Sequence, residues 1–250
     1  MNEVRQRWRL YVERGPVASD VAHRDAVAAW EVALGASGLP FATSAKGSEK
    51  GQAGPRPRVT FAAPLPVGML AEREPIDVAL VERLRVHEVR GGVAAAAPPG
   101  YRLVDLEDVW VGAPTLPSLV LSADYRVAIG RGDETSADNA FRGLSDAVGQ
   151  LVRAPLVERT RDKGGGRVVV DVRPHVLGLW CVAPSEARGL ALRMRLTLGG
   201  AGGVGRPDEV VSAIADLAGE VLPVESIVRE RINLAGEVLA DDPVAVDVTV

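Results

Sequence analysis

Two successions of β-α-β-β-α-β elements along 250 residues predict an α+β fold of two tandem ferredoxin-like units, the second decorated with extra strands. Three observations carry that prediction. The N-terminus alternates strictly between apolar and polar residues. Two later segments repeat apolar residues with a helical period. A segment rich in Gly and Pro, residues 112–117, separates two similar orders of elements. The first unit, with a basic loop at 43–58, is expected over residues 1–111 and the second over 118–234. Residues 235–250 read as a strand-like tail in which Val244, Val246, Val248 and Val250 alternate.

Each element follows from its local pattern. Val4, Trp8, Leu10 and Val12 share one side of a first strand, and Arg5, Arg7, Arg9 and Tyr11 share the other. Ser19 or Asp20 is expected to cap a helix whose Ala26, Val27, Trp30, Ala33 and Leu34 recur at helical spacing, closed by Gly38 and Pro40. Strands are then expected at 58–63 and 76–80, and a helix between 81 and 97. Pro98, Pro99 and Gly100 break that helix before a strand at 101–110. In the second unit a strand at 124–129 precedes a helix at 136–153 that turns Phe141, Leu144, Val148 and Leu151 inward. Strands at 156–160, 167–172, 177–182 and 190–198 follow. Arg206-Pro207-Asp208 opens a helix to residue 217, and 227–234 closes the unit.

Composition sets the limits on function. A hydrophobic content of 47% supports a substantial core, and 25% charged residues is ordinary for a globular chain. The net charge of −4 argues against a surface coated with positive potential, so any polyanion contact must come from local clusters. The first ten residues lack a signal-peptide core, and no run of 18 apolar residues exists, so a cytoplasmic protein without membrane contact is expected. Cys181 is the only cysteine, which leaves no internal disulfide and no iron–sulfur cluster held by this chain alone.

The local clusters are two basic loops. One, at 43–58, carries Lys46, Lys50, Arg56 and Arg58 against Glu49, with Gly47, Gly51 and Gly54 allowing backbone N–H groups to approach an anion. The other, from Arg159 through Arg161, Lys163 and Arg167 to Arg173, surrounds a triple-glycine hairpin. Arginines also alternate along the strands. Arg5, Arg7 and Arg9, then Arg193 and Arg195, then Arg229, Arg231 and Asn233 are expected on sheet faces that the helices leave open, where this topology takes RNA. With 4% aromatic residues an aromatic stacking platform is disfavoured. The glycine run 198–206 lacks the lysine of a phosphate-binding P-loop, so no nucleotide site is expected there.

Three histidines exist, and none is spaced with another as a metal pair, so no metal is expected. His87 is expected to face solvent and His175 to end a strand. His23 stands at the first turn of the first helix, where the helix dipole favours a neutral ring, as a general base requires; Asp25 follows two residues on.

Taken together, His23-Arg24-Asp25, Gly38-Leu39-Pro40, Pro55-Arg56-Pro57, Pro66-Val67-Gly68, Asp171-Val172-Arg173-Pro174 and the glycine run before Arg206-Pro207-Asp208-Glu209 resemble the DUF2344 family of radical SAM-linked proteins. Ala22 stands where that family carries serine, the arginine-rich end of its first helix is here Ala33-Leu34-Gly35-Ala36-Ser37, and residues 48–53 lengthen the loop. The resemblance implies a neighbour or fusion partner of the radical SAM class, which would carry the iron–sulfur cluster and S-adenosylmethionine, and a role in RNA metabolism. This chain would hold no cofactor. The layout is also similar to the RAMP endonucleases, which pair two ferredoxin-like units.

Three readings stay open at this point. One is an accessory protein that binds RNA through Lys46, Lys50, Arg56, Arg58, Arg159, Arg161, Lys163, Arg167 and Arg173 and presents it to a radical SAM enzyme. Another is a protein–protein scaffold for such an enzyme, with His23 and Asp25 in a partner motif. The third is a metal-independent ribonuclease with His23 as base and Lys46 or Lys50 stabilising the phosphorane.

Overall fold

Apolar alternation makes the first strand: β1 (Gln6–Arg14) buries Trp8, Leu10 and Val12 on one side. A computed structural model describes residues 3–44, 56–130, 137–163, 165–183, 189–199 and 203–237. The chain divides into two compact units, Met1–Val120 and Leu121–Val250, each a sheet with helices in an α+β architecture.

In the first unit β1 leads to α1 (His23–Ala36), β2 (Thr43–Ser44), β3 (Arg56–Pro57), β4 (Val59–Phe61), β5 (Leu70–Leu80), α2 (Val86–Ala96) and β6 (Tyr101–Val109). β1 runs antiparallel to β5 on one side, with Leu10 opposite Ile76, and to β6 on the other, with Leu10 opposite Leu106. β4 adds to β5 with Thr60 opposite Asp77, so the spatial order is β4-β5-β1-β6. Trp8, Leu10 and Val12 form one core with Trp30 and Leu34 of α1 and Val89 and Val93 of α2. Each such side chain contributes about 1.5–3 kcal/mol through burial. Both helices therefore cover the same face of the sheet.

Three boundaries differ from expectation. β5 starts at Leu70 rather than 76. Pro75 reads as a strand breaker, yet it needs no N–H here and sits opposite Tyr11 while its carbonyl accepts from Ala62 at 3.2 Å. α2 starts at Val86, where the Glu88 carboxylate accepts the Arg85 N–H at 2.7 Å. The residue before α1 is Ala22, and neither Ser19 nor Asp20 caps it. Ser19 instead bonds Pro16 O through its hydroxyl at 2.8 Å, because the buried Arg14 guanidinium holds the preceding turn by donating to Ala18 O, Ser19 O and Val21 O.

The second unit follows the same element order, so the expected extra strands do not set it apart from the first: β7 (Val120–Ile129), α3 (Ala137–Arg153), β8 (Glu158–Lys163), β9 (Gly166–Asp171), β10 (Val176–Val182), β11 (Ala191–Thr197), α4 (Pro207–Ala218) and β12 (Val224–Leu234). Its sheet runs β10-β11-β7-β12, while β8 and β9 form a separate hairpin. Met194 lies opposite Leu179 on one side and Tyr125 on the other. Buried residues include Tyr125, Val127, Leu192, Met194 and Leu196 from the strands, Leu144 and Leu151 from α3, and Val210 and Ile214 from α4. Pro207 starts α4, and Gly219 ends it with a left-handed φ of 70°. The alternating valines Val244, Val246, Val248 and Val250 of the expected tail lie outside the described residues.

Candidate nucleic-acid interface

Arg5 lies just before β1 and is exposed, but the arginines within the strands face carboxylates. Asp77 of β5 accepts from Arg7 at 2.5 Å and from Arg9 at 2.9 Å, and Arg9 also lies 3.8 Å from Glu107 of β6. Both Arg9 and Asp77 are buried. Arg7 donates further to Ala113 O and Pro114 O, which brings the chain after β6 across its guanidinium. Tyr11, the one aromatic expected on this face, is buried with the Arg73 guanidinium 3.8 Å above its ring. The second unit repeats the arrangement: Arg126 and Arg193 both donate to Glu230, while Arg195, Arg231 and Asn233 converge on Asp124. Arg229 is fully buried. Desolvation is the largest single influence on Arg9 and opposes its charge, but the bond to and charge of Asp77, with Tyr11 and Glu107, together outweigh it and hold the guanidinium above its ordinary value. The expectation of an open basic face is thus corrected: neighbouring strands supply acids in register with the arginines.

The second basic loop is similarly engaged. Arg161 grips Glu209 of α4 with two bonds, at 2.5 and 2.6 Å, and reaches Val204 O at 3.1 Å. That pairing raises its affinity for the proton, against the opposing effect of partial burial. Arg159 bonds Asp216 of the same helix at 2.8 Å. Arg173 donates to Val152 O at the end of α3 and to Val176 O. Arg167 remains at the hairpin end, exposed and 3.9 Å from an equally exposed Asp162. Lys163 ends β8 beside it.

At the first loop, Lys46 and Lys50 lie outside the described residues. The loop returns through β3 and β4, which places Arg56 and Arg58 at its base. Arg56 is half-buried 3.9 Å from Glu31 of α1, and Arg58 is exposed with no side-chain partner among the described residues. Arg56 also lines an open groove of about 600 Å³ bounded by Asp25, Val32, Ala33, Pro98 and Pro99.

His23 is the first residue of α1, half-buried, its ring edge-on to Phe61 of β4 with 5.2 Å between centroids. Asp25 is exposed and 3.5 Å from Arg24. His87 is exposed. His175 sits in the turn before β10, with Nδ1 3.0 Å from Thr197 Oγ1. Gly203 and Gly205 pack against it: a Cβ on Gly205 would meet Leu196 Cβ at 2.9 Å and His175 Cβ at 3.1 Å. Close packing accounts for glycine there. Burial pushes the Cys181 thiol up. Among the described residues no three His, Cys, Asp or Glu side chains gather as a metal site, and no helix is long and apolar enough to cross a membrane.

The sequence reading missed the partners. Asp77, Glu107, Asp124, Glu230 and Glu209 decide which cations are engaged, and Arg14 organises the entrance to α1. The strand acids had a signal, since each occupies an alternating position facing the arginine rows. The carbonyls around Arg14 have none.

No curated protein matches this sequence. Among the solved structures that are similar, two match at 12% identity and cover 89% of this chain: a Cbf5-Nop10-Gar1 complex, with a TM-score of 0.43, and the archaeal box H/ACA sRNP Nop10-Cbf5 complex, with a TM-score of 0.34. The chain spans about half, 48%, of the length of each. A likeness this distant says nothing of what the present chain binds. The family described as an uncharacterized protein conserved in bacteria matches over residues 7–206, and with four-fifths of its length so matched the chain belongs to DUF2344.

Proposed function

We propose that this protein is an RNA-binding accessory factor that holds a structured RNA through the loop at 43–58 and presents it to a separate radical SAM enzyme. The observation that carries the reading is the distribution of engaged and unengaged cations. Carboxylates or carbonyls claim Arg7, Arg9, Arg193, Arg195, Arg231, Arg159, Arg161 and Arg173, whereas Arg58 is exposed at the base of a loop that also carries Lys46 and Lys50. Phosphates are drawn to cations that keep their charge unspent. Lys163 and Arg167 at the hairpin end offer a second, smaller contact. The enzyme class rests on the family resemblance. The same reading takes both units as ferredoxin-like, supported by the equivalent orders β4-β5-β1-β6 and β10-β11-β7-β12. His23, packed on Phe61, serves the start of α1 in this account.

The test is a fluorescence-anisotropy titration of a labelled tRNA fragment at low salt. Changing Lys46, Lys50, Arg56 and Arg58 together to Glu is expected to weaken binding at least tenfold. Unchanged affinity, or binding to duplex DNA as tight as to the RNA, would overturn the reading.

A further inference from the structure

The outer face of α4 does not look like the solvent side of a surface helix. Val211 and Ala215 form the floor of an open groove of about 700 Å³, with Leu222, Val224 and Ile227 from the chain that follows. Val221, in the same lining, is 90% exposed and Val224 40%. A contiguous apolar strip of this kind, bordered by charge, is characteristic of a surface that receives another chain. Its charge has one sign: Asp208, Asp216 and Glu220 line the groove, and no Lys or Arg does. Arg159 engages one oxygen of Asp216 and Arg161 interacts electrostatically with Asp208, while Glu220 is exposed at the groove.

We infer that this groove docks a basic amphipathic segment of a partner protein, apolar residues on the floor and Lys or Arg against the rim. The charge pattern selects that occupant over the others. RNA would meet three carboxylates. A second copy packed face to face would set the same acids against each other. The chain's own end carries Glu237, Asp241, Asp242 and Asp247 and no basic residue after Arg231. The groove belongs entirely to the second unit and is independent of the RNA reading, but an accessory factor needs such a surface to reach its enzyme.

The probe is an amidated 18-residue leucine–lysine amphipathic helix, with a leucine–glutamate helix of the same length as its counterpart. Both are titrated into the ¹⁵N-labelled full chain and followed by anisotropy and amide shifts. The lysine peptide is expected to bind with micromolar affinity and to shift Ser212, Gly219 and Val221, while the glutamate peptide does not bind. The double variant Asp208→Lys with Glu220→Lys is expected to bind at least tenfold more weakly, and Val221→Ser about threefold; both change exposed positions, and circular dichroism checks their folding. Absent binding, equal binding of the two peptides, shifts mapping elsewhere or unchanged affinity in the variants overturns the inference. So does tighter peptide binding after removal of residues 238–250, which would make the chain's own end the occupant. A dimer lost in Glu220→Lys would make the occupant a second copy, again overturning it.

Discussion

At the scale of single residues, Arg14 shows how much one buried guanidinium can organise. Its fork holds three carbonyls, Ala18 O at 2.8 Å, Ser19 O at 2.5 Å and Val21 O at 2.7 Å, in the turn that delivers the chain to His23. Arg14→Leu would take the side-chain donor from all three; Ala18 O and Ser19 O would keep the N–H groups of Val21 and Gly68, and Val21 O would lose the guanidinium, so a loss of about 1–3 kcal/mol in urea unfolding is expected. A change below about 1 kcal/mol would mean that water replaces the guanidinium. Asp105 supplies a pH-dependent counterpart. The Leu106 N–H holds its carboxyl below the ordinary value against some desolvation, and Arg90 and Arg73 add to the effect. Because its pKa is depressed on folding, its stabilisation is present above the unfolded pKa and is lost as pH falls through the folded one. Asp105→Asn is therefore expected to destabilise by less than about 1 kcal/mol at pH 7, given its exposure. The gap from the native protein should close as pH falls through the depressed folded pKa. A gap that persists at low pH would contradict this. Neither residue was legible as functional, since main-chain partners leave no mark on composition.

At the scale of elements, the hairpin β8–β9 shows why the second basic cluster reads one way in sequence and another in the fold. Arg159, Arg161 and Arg167 look like a solvated tip when counted along the chain. In the structure the alternation of β8 turns Arg159 and Arg161 toward Asp216 and Glu209, 57 and 48 residues further on. Long-range pairing of this kind is invisible to a local reading. The Arg161–Glu209 pair is largely shielded, with side chains 17% and 10% exposed, so its members should couple strongly. A double-mutant cycle with Arg161→Met and Glu209→Leu is expected to give a coupling of about 1–3 kcal/mol. Faster amide exchange across β8 and β9 in either single variant should accompany it. Additivity within about 0.5 kcal/mol would mean that the hairpin is held by other contacts. Helices and strands with clean periodicity, such as β1, α1 and α3, were legible throughout. The first half of β5, up to Pro75, was not legible, whereas α2 falls inside the span 81–97 expected for it.

At the scale of the whole chain, the α+β class and the recurrence of one element order were legible, because period and punctuation suffice to order elements. The state of each charge was not. A net charge of −4 is the sum of strand arginines matched by acids, an acid-lined groove on α4 and a few cations left unspent. The central claim is that the cations of the loop at 43–58 and of the β8–β9 hairpin end, and not the arginine rows of the sheets, hold RNA. The most direct test is the slope of log Kd against log salt for a structured RNA. About six contacts, from Lys46, Lys50, Arg56, Arg58, Lys163 and Arg167, predict a slope of magnitude about 4–5. The pair Arg56→Gln with Arg58→Gln should reduce it by about 1–2, while Arg193→Gln, whose charge is spent on Glu230, should leave it unchanged. A slope near zero, or one that Arg193→Gln lowers and the loop changes do not, would contradict the account.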